Sequence, residues 1–185
     1  MKNLAFLGAL LVGTSLTTAE IFQFDISPPG TSPAEGLSPS NQIHTVIDST
    51  GSGNEILTGI AFDTETLILD LAIGYGSAAE FSDLTGPATA IHIHGPASVT
   101  EEAPPILDLL AAGLHTPAGD PLKGGIIFGS ILLDELTASN LLAGLTYINI
   151  HTDAYPGGEI RGQIVEAASV PTEPATWGKI KRLFP

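Results

Sequence analysis

The chain contains no cysteine, and only six of its 185 residues are lysine or arginine. Without thiols, a disulfide framework, a thiolate metal site and a cysteine nucleophile are all excluded. The cations are Lys2, Lys123, Arg161, Lys179, Lys181 and Arg182, so just two lie between Glu20 and Gly178. Against them stand 20 acidic residues, for a formal net charge of −14. A nucleic-acid backbone or an anionic membrane surface would repel such a body, which excludes both as partners and leaves cationic or polar ones. Long apolar runs are missing as well. The nearest, Leu4–Val12, is about half the roughly 20 residues that a transmembrane span needs. There is no nucleophile elbow, no P-loop and no dinucleotide fingerprint.

What is present points to one β-rich domain. Twenty-one glycines and 14 prolines favour many turns over long helices, and 43% hydrophobic residues argue against disorder. Met1–Ala19 reads as a secretory signal, with Lys2 at its head, an apolar centre and a small-residue end at Thr17-Thr18-Ala19. The mature chain is therefore expected outside the cytoplasm: periplasmic, at the cell surface or extracellular. Phe22, Phe24 and Ile26 alternate as on a strand, and Pro28–Gln42 reads as a long loop. Glu55–Phe62 and Glu65–Ile73 predict a hairpin around Asp63-Thr64, and Ala88–His94, Gly125–Leu133, Leu145–His151 and Glu159–Val165 predict four further strands. Pro105–Ala112 and Asp134–Ala143 predict short helices, each with a glycine just past its end. The expected fold is all-β, a Greek-key-like sandwich or barrel of about seven strands with one or two short helices in its connections. Ser169–Pro185 differs in kind. Its Pro/Thr/Glu linker leads to a basic, aromatic strip, Trp177–Phe184, read as docking to a sorting or envelope component or folding against the acidic body.

The histidines hold the chemistry. His92 and His94 stand two apart in Ala90-Ile-His-Ile-His-Gly-Pro-Ala97, so a strand points both imidazoles to one face and Ile91 and Ile93 to the other. Tyr147, Asn149 and His151 share a face of a later strand, opposite Ile148 and Ile150. If the two strands are neighbours, His92, His94 and His151 form a cluster of three nitrogens. With no thiolate nearby, it suits Cu(II) first and Zn(II) second. His44 and His115 are candidates for a fourth ligand. The competing reading makes the three rings plain architecture on a polar face. Glu101-Glu102 and Asp134-Glu135 read as solvated surface, since no Asp/Asn/Gly ladder supports calcium.

The segment Ala90–Ala97, together with His151-Thr-Asp-Ala-Tyr-Pro-Gly-Gly-Glu-Ile-Arg-Gly-Gln-Ile164, closely resembles the CHRD domain over roughly Ile21–Glu166. That resemblance implies a β domain over 20–168, after a leader at 1–19 and before a tail at 169–185. It further implies a β-rich extracellular module with binding or structural roles and no general catalytic activity. A second resemblance concerns only the order of His92, His94, His151, a Gly-rich turn and Arg161, which is similar to the copper–zinc superoxide dismutases. It implies copper on the three histidines and Arg161 as a guide for a small anion. The disulfide and the zinc-ligand cluster of those enzymes have no counterpart here. Apart from that implication, Arg161 is expected to pair with Glu159 on its own strand face.

The tail also resembles the short Pro-Glu-Pro sorting tails of bacterial exported proteins, in Glu173-Pro174-Ala175-Thr176-Trp177 alone, and lacks their long apolar span.

Overall fold

The computed structural model describes residues 20–168, so the expected leader at 1–19 and the tail at 169–185 lie outside the described residues. Nine antiparallel strands form one sheet: β1 (Ile21–Ile26), β2 (Gly53–Asp63), β3 (Ile68–Tyr75), β4 (Ala88–His94), β5 (Pro105–Asp108), β6 (His115–Ala118), β7 (Gly124–Leu132), β8 (Thr146–Thr152) and β9 (Ile160–Glu166). Their order across the sheet is β5-β4-β8-β9-β1-β2-β3-β7-β6. Among the described residues the one α-helix, α1 (Glu135–Leu142), precedes β8, and two short 3-10 turns lie at Pro39–Asn41 and Ser77–Ala79. The all-β expectation holds, as one curled sheet rather than two packed ones.

Alternation explains most of this. Phe24 and Ile26 of β1, Ile60 and Phe62 of β2, Ile91 and Ile93 of β4, and Ile148 and Ile150 of β8 are all buried in one continuous cluster. Each such side chain contributes about 1.5–3 kcal/mol by leaving water. To gather residues from both halves of the sheet into one core, the sheet must roll. Its two edge strands, β5 and β6, are joined by the connection 109–114. There the fully buried Leu109 donates to Ile91 O (2.9 Å), Leu114 donates to Leu109 O (3.1 Å), and Phe128 donates to Leu114 O (2.8 Å). The roll is thus stitched across its open side. The β2–β3 hairpin turns on Asp63, whose Oδ1 accepts from the amides of Glu65 (2.8 Å) and Thr66 (3.2 Å).

Two expectations are corrected. Pro105–Ala112 is not a helix: Pro105 opens the edge strand β5, where its missing N–H costs no ladder bond. Asp108 Oδ1 then caps a turn by accepting from Ala111 N (2.8 Å), and Gly113 closes it at φ +74°. The ladder that pairs Leu107 with Ile93 and Asp108 with His92 outweighs so short a helix. The count of about seven strands becomes nine, because β5 and β6 were read as helix and loop. The other helix stands. Asp134 caps α1 by accepting from Thr137 N (2.6 Å), Gly144 follows its end at φ +68°, and Ala138 and Leu141 join the core.

What matters for the site is β8. It enters between β4 and β9, with Ala90 opposite His151, His92 opposite Asn149 and His94 opposite Tyr147. All seven of its residues are buried. The isoleucine side faces the core, and the histidine side lies under loops from distant parts of the chain.

Candidate metal centre

The register of β4 against β8 brings the three predicted imidazoles together. One nitrogen from each of His92, His94 and His151 lies within 4.8 Å of the other two. The ring centroids are 5.5 Å apart for His92–His94, 5.0 Å for His92–His151 and 5.9 Å for His94–His151. Among the described residues, no other group of three or more histidines and carboxylates converges in this way.

Hydrogen bonds settle which nitrogens are bare. His94 Nδ1 lies 2.7 Å from Ala103 O, and His151 Nδ1 lies 3.0 Å from Pro156 O. A carbonyl only accepts, so in both neutral rings the proton sits on Nδ1 and Nε2 keeps its lone pair. His94 Nε2 is buried and has no hydrogen-bond partner. His151 Nε2 faces His92 Nδ1 at 3.3 Å. Burial holds both His94 and His151 below the usual imidazole range. The bonds to Ala103 and Pro156 oppose this in part, and the neighbouring histidines reinforce it. Two neutral rings thus turn unprotonated Nε2 atoms inwards, that of His94 without a partner and that of His151 against His92 Nδ1, the form in which imidazole binds a metal ion.

The wall behind them is stacked. Tyr147 lies parallel to His94 (centroids 4.9 Å, 11° between planes), and the Arg161 guanidinium carbon sits 3.6 Å from the Tyr147 ring centre. Arg161 is buried and donates to Ser98 O (3.0 Å) and Gln163 Oε1 (3.4 Å). The expected pairing with Glu159 is absent. Glu159 precedes β9 and its carboxylate accepts from Ser49 Oγ, Thr85 N, Thr85 Oγ1 and Thr152 Oγ1. Hydroxyls and an amide replace the cation there.

Neither candidate fourth histidine joins the set. His44 is close by, but its Nε2 donates to Gly158 O (3.0 Å) and its Nδ1 lies 3.5 Å from Glu102 Oε1. His115 lies on β6, where it takes the Tyr75 hydroxyl (2.8 Å) and stacks on that ring. The Gly157-Gly158 turn roofs the site: Asn149 Nδ2 donates to Gly157 O (3.2 Å), and Gln42 Nε2 donates to Asn149 Oδ1 (2.7 Å). Sequence reasoning missed Asp108, which β5 places opposite His92. Its Oδ2 is 3.8 Å from His92 Nε2.

Comparison with known families decides the affiliation. The model of the CHRD domain matches residues 33–164, more than half of the chain and inclusive of all three clustered histidines. The chain belongs to the CHRD-domain family. No curated protein and no solved structure shows a significant match. In this CHRD domain β1 precedes the matched span, yet it is built into the sheet between β9 and β2. Among the described residues no helix is long and apolar enough to cross a membrane.

Proposed function

We propose that this CHRD domain is an exported binding module of the cell envelope or extracellular space that holds one divalent metal ion on His92, His94 and His151. Cu(II) is the favoured ion and Zn(II) the second. The observation that carries the reading is the buried, unpartnered Nε2 of His94, turned towards two further imidazole nitrogens. Bare lone pairs facing one another in a poorly solvated site repel, and burial disfavours the proton that would relieve them. A metal ion supplies the missing positive charge. The spacing of one pair fits: nitrogens about 2.0 Å from one tetrahedral ion stand about 3.3 Å apart, His92 Nδ1 and His151 Nε2 are 3.3 Å apart, and all three rings offer a nitrogen within 4.8 Å of the others. An all-nitrogen donor set suits Cu(II) and Zn(II), and Cu(II) binds the tighter of the two at a given site.

Tying β4 to β8 makes the ion a structural element of a binding module, whose acidic surface suits cationic or polar partners. A copper redox protein of superoxide-dismutase type is the alternative. His92 favours it in one respect, since its side chain is 19% exposed and offers small molecules a way in. Arg161, the anion guide of that reading, is bonded to Ser98 O with Tyr147 stacked between it and His94.

The test is elemental analysis of the purified protein after loading with Cu(II) and desalting, beside His151→Ala checked for its fold by circular dichroism. About one copper per parent chain and almost none in the variant is expected. Equal metal in both overturns the proposal. Superoxide consumption by the loaded parent would favour the redox alternative, and bound copper without turnover the binding module. Amino-terminal sequencing of protein recovered outside the cytoplasm should begin at Glu20.

A further inference from the structure

His92 differs from its two partners in which nitrogen it turns to the cluster. His94 and His151 are pinned through Nδ1 to backbone carbonyls and present Nε2. His92 presents Nδ1 towards His151 and turns Nε2 outwards to Asp108. No backbone carbonyl holds its outer nitrogen. Asp108 is placed for that task by two independent features. The β4–β5 register puts it directly across from His92, and the turn after β5 fixes its carboxylate by using Oδ1 to accept from Ala111 N (2.8 Å). Oδ2 is left facing His92 Nε2 at 3.8 Å, and a movement of about 1 Å closes that to a charge-assisted hydrogen bond. The carboxylate stands at the ring edge remote from the cluster, so it acts through His92 and is not itself a ligand.

Resting on the metal reading above, we propose that Asp108 is the positioning residue of the centre: it holds the proton of His92 on Nε2 and thereby makes His92 an Nδ1 ligand beside two Nε2 ligands. A ligating histidine needs such a partner on its outer nitrogen, both to select the tautomer and to fix the ring. His94 and His151 obtain theirs from Ala103 and Pro156, and His92 obtains its own from the only carboxylate within ion-pair distance among the described residues.

The informative variant is Asp108→Asn. The Ala111 amide can only donate, so it keeps the Asn oxygen where Oδ1 was and the turn survives. The Asn amino group then faces His92 Nε2 and favours the tautomer with its proton on Nδ1, inside the cluster. Cu(II) affinity, measured by competition with a chelator, should fall about 10–100-fold in Asp108→Asn and in Asp108→Ala. Glu135→Gln removes the same charge from the exposed start of α1 and should stay within about 2-fold of the parent. In the Zn(II)-loaded parent, long-range nitrogen–proton NMR should show His92 protonated at Nε2, and His94 and His151 at Nδ1. A parent that takes up metal through His92 Nε2, or Asp108 variants that bind Cu(II) as tightly as the parent, would overturn this role and leave the metal centre standing. A parent that takes up no metal overturns both.

Discussion

Glu159 is a fully buried carboxylate with no cationic partner, and its replacement tests the account of the fold most severely. Its four donors come from three places: Ser49 Oγ (2.6 Å) in the loop before β2, Thr85 N (2.8 Å) and Oγ1 (2.7 Å) ahead of β4, and Thr152 Oγ1 (2.6 Å) at the end of β8. Four bonds to a charged acceptor amount to roughly 6–12 kcal/mol taken singly. Much of that offsets the several kcal/mol lost in burying the charge. Glu159→Ala leaves the Thr85 amide with no acceptor, since an amide cannot turn round, and obliges three hydroxyls to find new ones. A loss of about 4 kcal/mol is expected, a large share of the 5–15 kcal/mol that such a domain has in total. Glu159→Gln keeps the shape and one oxygen for Ser49 and the Thr85 amide, while Thr85 and Thr152 can rotate to accept from its amino group; about 1–2 kcal/mol is expected. The assay is equilibrium urea unfolding at pH 7, in which 4 kcal/mol moves the midpoint by about 2 M at a slope near 2 kcal/mol/M. Because Arg161 bonds elsewhere, a double-mutant cycle of Glu159→Gln with Arg161→Met should give a coupling below about 0.5 kcal/mol. Alanine at 159 within 1 kcal/mol of the parent, or a coupling of several kcal/mol, would refute the reasoning.

The two turn glycines should respond differently. Gly158→Ala, at φ +121° and with its new Cβ driven into the Asn149 side-chain amide, should cost about 3 kcal/mol by urea unfolding, whereas Gly157→Ala meets only the His44 ring at 3.4 Å and should cost under about 1 kcal/mol. Acid should weaken the metal-free protein. Burial lowers the folded-state affinity of His94 and His151 for protons below the usual value of 6.5, so in that window the unfolded chain binds more protons. Their contribution is complete above pH 6.5 and is lost as the pH falls below it. The urea midpoint should therefore drop between pH 7.5 and pH 5.5, and a flat or rising midpoint contradicts the burial of these rings. Glu55, raised above 4.5 mainly by burial, acts in the opposite sense.

How much was legible follows from where each signal resides. β4 and β8 are plain because Ile91, Ile93, Ile148 and Ile150 alternate with polar residues, and that alternation alone puts His92, His94 and His151 on the reverse side. The hidden part is what covers that side. The roof at Gln42 comes from a segment distant in sequence, and the carbonyls of Ala103 and Pro156, though near their histidines in the chain, carry no signal because any residue can offer a carbonyl. β5 was misread because a proline at the start and a glycine at the end punctuate an edge strand with its turn as readily as a short helix. That error also hid Asp108, whose value is visible only from the register of β5 on β4. Arg161 was paired with Glu159 on periodicity, and the pairing fails because Glu159 lies in the turn before the strand begins.

Composition and site then bear on each other. In a chain without cysteine, imidazole is the natural donor left for a tightly held transition-metal ion. With few cations in the body and a formal charge of −14, a divalent cation is drawn to the protein before any contact is made. β4 and β8 meet through their ladder, the isoleucine core and the ring contacts of His92 with His151 and His94 with Tyr147, and the chain between them runs out to the far edge of the sheet and back. An ion on His92, His94 and His151 would add a stronger tie across the same pair of strands, on the face the core does not reach. The isoleucine face holds the fold and the imidazole face carries the three proposed ligands, so loss of one ligand should leave the sheet assembled. That separation is what lets His151→Ala report on metal rather than on folding.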